Sequence, residues 1–129
     1  MKDELIRAAV EARGNSYSPY SHYAVGAAVI TDKDETVQGC NVENASYGLC
    51  NCGERTAIFS AVSRGARKIR AIAIAAAGSP PYPCGACRQV MSEFAESPEM
   101  PVYVVTVSES GEKSEEFQLK ELLPYGFTL

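Results

Sequence analysis

The chain has 129 residues, of which 12 are Lys or Arg and 16 are Asp or Glu, so its formal net charge is -4 at pH 7. This length fits one domain, residues 1–129, and the acidic balance gives no electrostatic support for binding a nucleic-acid backbone. No stretch approaches the roughly twenty apolar residues of a membrane span, and the N-terminus lacks the apolar segment of an export signal. Five cysteines without such a signal indicate reduced thiols and a cytoplasmic protein.

The first half of the chain predicts a helix, a hairpin and a second helix. Asp3 is the expected N-cap of the first helix, which should end near Gly14 because apolar residues recur at helical spacing between them. Two strands follow, at 23–31 and 36–41, and a short polar turn joins them. Helical spacing returns over 52–63.

The second half predicts three strands and a further helix. The nearly continuous apolar run at 69–77 is typical of a strand covered on both faces. A helix should begin close to Cys84, and the alternating segment 102–107 predicts a buried strand. After a polar turn, a short last strand is expected at 116–119, before a short helical end at 121–124.

This order of elements predicts an α/β fold. Strand-helix-strand units require right-handed crossovers and favour mainly parallel pairing, whereas the short turns favour antiparallel pairing. A three-layer α/β/α sandwich around a mixed sheet of about five strands satisfies both requirements.

Three cysteines have the spacing of a zinc site. Cys52 begins one predicted helix, and Cys84 and Cys87 lie on one side at the start of the next. Three thiolates can hold Zn²⁺ and leave its fourth tetrahedral position open, as in hydrolytic zinc sites. Glu54 is close enough in sequence to move protons at that open position, and Arg55 can donate hydrogen bonds to the sulfurs and offset their electron density.

Other interpretations of the same residues remain open. Cys50 could close a four-cysteine shell, which would make the zinc site structural. The chain could also be a non-enzymatic zinc module that binds nucleic acid, although its charge disfavours that. Outside the motif, Cys40 is expected to be a small buried side chain, and His22 is expected to serve the surface or packing.

Five segments together resemble the small zinc-dependent cytidine deaminases that act on free nucleosides. The segments are residues 23–28, 39–45, 52–57 with the Cys-x-Glu motif, 83–90 with the Pro-Cys-x-x-Cys motif, and 121–124. The resemblance implies one Zn²⁺ per subunit and hydrolytic conversion of cytidine and 2′-deoxycytidine to the uridines, with release of ammonia, in pyrimidine salvage. Glu54 then carries the water proton to N3 and a second proton to the departing ammonia. A related deaminase of modified cytosine nucleosides or nucleoside antibiotics is the alternative.

The resemblance also implies which residues contact the substrate and the neighbouring subunits. Asn41 and Glu43 would hold the ribose hydroxyls, Tyr23 would pack on the base, and a backbone amide of Gly53 or Glu54 would donate to the pyrimidine carbonyl. A strand-end turn held by Asn41 and simple core packing of Tyr23 are the alternatives. Ala45 and Tyr47 match positions that complete a neighbouring pocket, and Phe127 matches an interface position, which together imply a homotetramer.

Two positions depart from the usual pattern of that family. Gly53 stands where alanine is usual, and Tyr23 stands where phenylalanine is usual. We expect the missing methyl group of Gly53 to leave space beside the base and to allow pyrimidines that are bulkier at N4 or C5.

Overall fold

The computed structural model describes residues 1–129, which form four α-helices and five strands. In chain order these are α1 (Lys2–Ala12), β1 (Val25–Thr31), β2 (Thr36–Cys40), α2 (Gly53–Ser63), β3 (Ile69–Ala77), α3 (Gly85–Phe94), β4 (Pro101–Ser108), β5 (Gly111–Gln118) and α4 (Leu119–Leu122). None of the helices has the length and apolar content that crossing a lipid bilayer requires.

The strands form one mixed sheet in the order β2-β1-β3-β4-β5. Only β3 and β4 pair in parallel, and the other three neighbouring pairs are antiparallel. The expectation of mainly parallel pairing is therefore wrong. The unit β2-α2-β3 does join two strands that run in the same direction, but β1 lies between them and is antiparallel to both. The crossover consequently creates no parallel neighbours.

Helices cover both faces of the sheet, which confirms the three-layer α/β/α sandwich. Along β3 the side chains alternate between the faces because successive residues of a strand point to opposite sides. Ile72 and Ile74 face the core shared with α2 and α3, whereas Ala71, Ala73 and Ala75 face α1. The larger core therefore lies under the two helices that follow the candidate zinc motifs.

Two glycines bring α1 and α2 unusually close to the sheet. A Cβ atom on Gly26 would lie 2.1 Å from the carbonyl oxygen of Ala9 in α1, and one on Gly39 would lie 2.3 Å from the backbone nitrogen of Ala57 in α2. Side chains cannot occupy such positions without moving a helix. Gly39 in particular allows the first turns of α2 to rest on the end of β2.

Several element boundaries differ from the sequence-based expectations. β1 begins at Val25 instead of residue 23, and the last helix is Leu119–Leu122 instead of 121–124. Asp3 is not the N-cap, because α1 begins at Lys2 and its cap position is Met1; Asp3 lies in the first turn, where a carboxylate faces the positive end of the helix dipole. The last strand begins at Gly111, since a tight turn already pairs Gly111 with Ser108. Most of β5 is exposed and polar, so hydrophobic periodicity reveals little of it.

Candidate active site

The three candidate zinc ligands lie where the N-termini of α2 and α3 meet. Cys52 occupies the N-cap position of α2, and Cys84 occupies that of α3, both with extended backbone angles. Cys87 lies in the first turn of α3 and is fully buried. The positive ends of two helix dipoles therefore surround the three sulfurs, and such an environment favours thiolates over thiols.

The separations of the three sulfur atoms fit a single metal ion. The Sγ atoms of Cys52 and Cys84 are 3.9 Å apart, and those of Cys84 and Cys87 are 3.4 Å apart. All three lie within 4.8 Å of one another. A tetrahedral Zn²⁺ with Zn–S bonds of about 2.3 Å separates its sulfurs by about 3.8 Å. The distances and the softness of the donors both suit zinc.

Cys50 does not belong to this group of sulfurs. Its Sγ accepts a hydrogen bond from the backbone nitrogen of Asn44, at 3.3 Å, and lies near the carbonyl oxygen of the same residue, at 3.5 Å. These contacts hold the thiol in the 44–50 loop. The closed four-cysteine shell is therefore not formed, and three sulfurs leave one tetrahedral position for a ligand from outside the chain.

Arg55 contacts the sulfur group directly. Its Nη2 donates to Cys52 Sγ and to the carbonyl oxygen of Cys50, both at 3.4 Å. The hydrogen bond between Cys87 and Cys52 lowers the pKa of the Cys52 thiol to about 5 and raises the pKa of the Cys87 thiol above its ordinary value. Arg55 also lowers the pKa of Cys52. The guanidinium is thus placed to offset the negative charge of three thiolates on one divalent ion.

Glu54 is a buried carboxyl group beside the three sulfurs. Only 4% of its surface is exposed, and burial raises its pKa to about 7. Its side chain lines the same cavity as Cys52 and Cys84. A carboxyl group whose pKa lies near neutrality can both accept and release a proton at the pH of the cell, which general acid-base catalysis requires.

The cavity above the sulfurs has a volume of about 290 Å³ and joins two chemically different ends. The end at the helix N-termini is lined by Cys52, Gly53, Glu54 and Cys84. The polar end is lined by groups of the 16–23 loop and of the segment after β2, namely Ser21, Tyr23, Asn41 and Glu43. The structure thus brings four of the six predicted substrate-binding residues into one cavity with Glu54 and with two of the three predicted ligands, Cys52 and Cys84.

Asn41 directly follows β2, and its side chain is held by backbone groups at the start of β1. Its Nδ2 donates to the carbonyl oxygen of Tyr23 at 2.7 Å, and its Oδ1 accepts from the backbone nitrogen of Val25 at 3.0 Å and from the Ser16 hydroxyl. Only 8% of the residue is exposed. Asn41 therefore joins the loop to the sheet and retains one amide N–H for a ligand.

Glu43 is oriented by the loop that precedes β1. Its Oε1 accepts from the backbone nitrogens of Tyr20 and Ser21 at 3.1 Å and 3.0 Å, and its Oε2 accepts from the Ser21 hydroxyl. These bonds from Ser21 hold the pKa of Glu43 below its ordinary value. The carboxylate consequently stays ionised and fixed at the polar end of the cavity.

Three residues that the resemblance assigns to the pocket or to an interface lie outside this cavity. Ala45 is exposed, Tyr47 is 72% exposed and Phe127 is 65% exposed. Tyr47 packs edge-on against Tyr20 with ring centroids 5.6 Å apart, beside a shallow hollow of about 280 Å³ that adjoins the polar end of the cavity. This chain alone therefore leaves the polar end open.

A methyl group added at Gly53 would face the ends of β1 and β2. A Cβ atom there would lie 3.2 Å from the carbonyl oxygen of Val25 and 3.5 Å from the backbone nitrogen of Asn41. The space left by glycine is thus taken up mainly by the close contact of α2 with the ends of β1 and β2. This differs from the expectation of added space beside a bound base.

Sequence patterns did not identify Tyr82, which also lines the cavity. The available signal was its position, two residues before Cys84 in a proline-rich loop. Because loops carry no hydrophobic period, only the fold shows that its ring reaches the cavity.

Comparisons with known proteins agree with this geometry. Residues 1–106 match the family model of the cytidine and deoxycytidylate deaminase zinc-binding region. The chain is 46% identical to a cytidine deaminase of Halalkalibacterium halodurans, over 96% of this chain and 92% of the relative, and 42% identical to one of Sporosarcina psychrophila, over 98% and 90%.

A crystal structure of the cytidine deaminase of Burkholderia pseudomallei superimposes with a TM-score of 0.90 at 45% identity, and the match covers 98% of this chain and 99% of that one. Family and sulfur cluster together indicate one Zn²⁺ per subunit. From the sulfur geometry, the family match and the full-length similarity, the chain belongs to the cytidine deaminase family of zinc enzymes.

Proposed function

We propose that this protein catalyses the hydrolytic deamination of cytidine and 2′-deoxycytidine to uridine and 2′-deoxyuridine, with release of ammonia. The observation that carries the proposal is that one cavity is lined by Glu54, Cys52 and Cys84 and also by Asn41 and Glu43, with the Cys87 sulfur within 4.8 Å of the other two sulfurs. The cytidine deaminases to which the chain is similar match it over nearly their whole length, which supports the same substrate class.

Glu54 carries out the proton transfers of this reaction. When bound, the zinc ion would act as a Lewis acid that lowers the pKa of a water molecule, so that this water can lose a proton and attack C4 of the pyrimidine. Glu54 takes the proton of that water, delivers it to N3, and then carries a second proton to the departing ammonia. Burial suits the carboxyl group to both directions of transfer, since it raises the pKa of Glu54 to about 7.

The N-terminus of α2 binds the pyrimidine carbonyl oxygen. The first intrahelical backbone bond of α2 runs from the nitrogen of Thr56 to the carbonyl oxygen of Cys52, at 3.1 Å. The backbone N–H groups of Gly53 and Glu54 therefore have no partner within the helix and face a site that favours a partial negative charge.

Asn41 and Glu43 bind the sugar. The Glu43 carboxylate accepts hydrogen bonds from ribose hydroxyls, and the free N–H of the Asn41 amide donates to one of them. These two roles are supported by the loop hydrogen bonds that hold both side chains at the cavity. Tyr23 lines the same cavity and packs on the base.

The protein assembles with copies of itself, as a homotetramer. Support comes from the open polar end of the cavity and from the exposed apolar side chains around it, including Tyr47 and Leu49, each 72% exposed. Such a concentration of apolar surface is typical of a protein interface. Ala45 and Tyr47 of one subunit then complete the pocket of the next, and Phe127 packs at an interface.

Residues 1–129 act as one catalytic domain in the cytoplasm, in pyrimidine salvage. The support for this compartment is the state of the five cysteines, all of which are free thiols. Three of them serve a metal site, which a reducing compartment preserves.

The test is an assay of the purified zinc-loaded protein with cytidine, 2′-deoxycytidine and a cytosine-containing nucleoside antibiotic. We expect ammonia to be released in equal amount to the uridine that forms. Faster turnover of the antibiotic would favour the alternative substrate class, and the absence of ammonia from all three would contradict the proposal.

A separate measurement tests the homotetramer. Sedimentation at several protein concentrations should give the mass of four chains.

A further inference from the structure

We propose that Tyr82 is the specificity-determining residue at the metal end of the cavity, where its ring limits the size of the substituent that is accepted on the exocyclic nitrogen of a cytosine nucleoside. The proposal rests on the deaminase function proposed above. It concerns a residue that is absent from the zinc motifs and from the sugar-binding segment.

Tyr82 is held against the edge of the sheet. Its hydroxyl donates to Glu115 Oε1 at 2.9 Å, and its ring packs edge-on against Phe117, with centroids 6.0 Å apart and ring planes at 70°. At the same time the residue lines the cavity together with Cys84 and Glu54. One tyrosine thus connects the cavity wall to β5.

The position of β5 explains how these partners come together. Glu115 and Phe117 are two residues apart on one strand, so their side chains point to the same face of the sheet. Both are partly buried, whereas most other residues of β5 are exposed. A bond from a phenol to a carboxylate is stronger than a bond between neutral groups, so Glu115 restrains the ring.

The loop that carries Tyr82 is anchored on both sides of it. The Tyr23 hydroxyl donates to the carbonyl oxygen of Ser79 at 3.3 Å, and Arg88 Nε donates to that of Pro83 at 2.7 Å. Pro80 and Pro81 precede Tyr82 and restrict the backbone further. A cavity wall that is fixed in this way excludes bulky substituents, because several contacts would have to break together before the wall could move.

The chemistry places the exocyclic nitrogen near this wall. The reacting C4 atom must lie by the ion that Cys52, Cys84 and Cys87 hold, and its amino group leaves from the same end of the cavity. A substituent on that nitrogen therefore extends toward the residues beside the ligands. Among the cavity-lining residues within two positions of a ligand in the sequence, Tyr82 has the largest side chain.

The experiment compares kcat/KM for N4-methylcytidine with kcat/KM for cytidine. Water converts N4-methylcytidine to uridine and methylamine, so methylamine and ammonia report the two reactions separately. We expect Tyr82→Ala to raise the ratio by about tenfold or more, the scale of discrimination that one methyl group gives in a closed pocket. Glu115→Ala, which keeps the ring but frees it, should raise the ratio by about threefold.

Tyr125→Ala is the matched control, because Tyr125 is fully exposed and does not line the cavity. Its ratio should equal that of the unchanged protein. A ratio within twofold of that value in Tyr82→Ala, with cytidine turnover retained, overturns the inference. If Tyr82→Ala does not fold, an unchanged ratio in Glu115→Ala overturns it instead. Turnover of cytidine by the unchanged protein is measured first, and its absence would refute the proposed function. The ratio of kcat/KM values then tests the role of Tyr82 separately.

Discussion

The two ends of the cavity are built in different ways. The metal end stands on the N-termini of two helices, where Cys87 is fully buried and Glu54 is only 4% exposed, while Cys84 is exposed at the surface of this chain. The polar end stands on a loop and a strand end, where Ser21 is exposed and Tyr47 is 72% exposed. The groups proposed for the chemistry therefore stand on helix N-termini, whereas the groups proposed for sugar recognition are held by loop hydrogen bonds.

The two cavity carboxyl groups show the same contrast in their acidity. Burial raises the pKa of Glu54 to about 7, whereas hydrogen bonds from Ser21 lower the pKa of Glu43. Desolvation disfavours a charge, and donated hydrogen bonds favour one. One residue type is thus suited to proton transfer at the metal end and to a fixed negative charge at the polar end, as the proposed function requires.

The largest effect is expected from breaking the metal end. Cys87→Ala removes the buried ligand, so we expect zinc content near zero and no measurable turnover. Metal analysis of the purified variant checks this. Cys50→Ser is the control and should retain its zinc, because Cys50 lies outside the sulfur group. Loss of zinc from Cys50→Ser would show that the site has a fourth cysteine ligand.

The next largest effect separates chemistry from metal binding. Glu54→Gln preserves the shape of the side chain but cannot transfer protons, so we expect kcat to fall by about 10²- to 10⁴-fold while zinc content stays unchanged. Steady-state kinetics and metal analysis together measure both quantities. Retained turnover would refute the proton-transfer role.

The same substitution at the polar end should act differently. Glu43→Gln removes the charge that accepts the sugar hydrogen bonds, and we expect kcat/KM for cytidine to fall by about tenfold to a hundredfold, mainly through KM.

The effect on pH dependence has a definite sign. Because hydrogen bonds hold the pKa of Glu43 below its ordinary value, its carboxylate is present through neutral pH and is lost only in acid. KM of the unchanged protein should therefore rise as the pH falls through that pKa, and KM of Glu43→Gln should lack this rise. Parallel KM profiles in both proteins would exclude Glu43 from sugar binding.

The smallest effect concerns the support of the polar end. Asn41→Ala leaves the carbonyl oxygen of Tyr23 and the backbone nitrogen of Val25 without their partners, and we expect the free energy of unfolding to fall by about 1–3 kcal/mol. Urea unfolding of the zinc-saturated protein measures it. Asn15→Ala, at an exposed position, is the control and should change stability little. Equal stability of both variants would show that Asn41 serves only the ligand.

Periodicity and spacing revealed much of this architecture. The isoleucine and alanine alternation of β3 and the helical pattern of α2 arise from local geometry, so the sequence indicates them directly. The three-cysteine spacing and Glu54 likewise indicate a zinc site, because a helix start places neighbouring residues on one side whatever the rest of the fold does.

Only the tertiary structure decided features that depend on distant segments. The insertion of β1 between β2 and β3 made most pairs antiparallel, and no local pattern encodes which strands are neighbours. The packing of Gly53 against the strands and the restraint of Tyr82 by Glu115 are likewise contacts between residues that lie on separate elements or loops. The sequence by itself determined which chemistry this chain can hold, since ligand type and spacing are local. The tertiary structure determined the shape of the cavity around that chemistry, because its walls come from both halves of the chain.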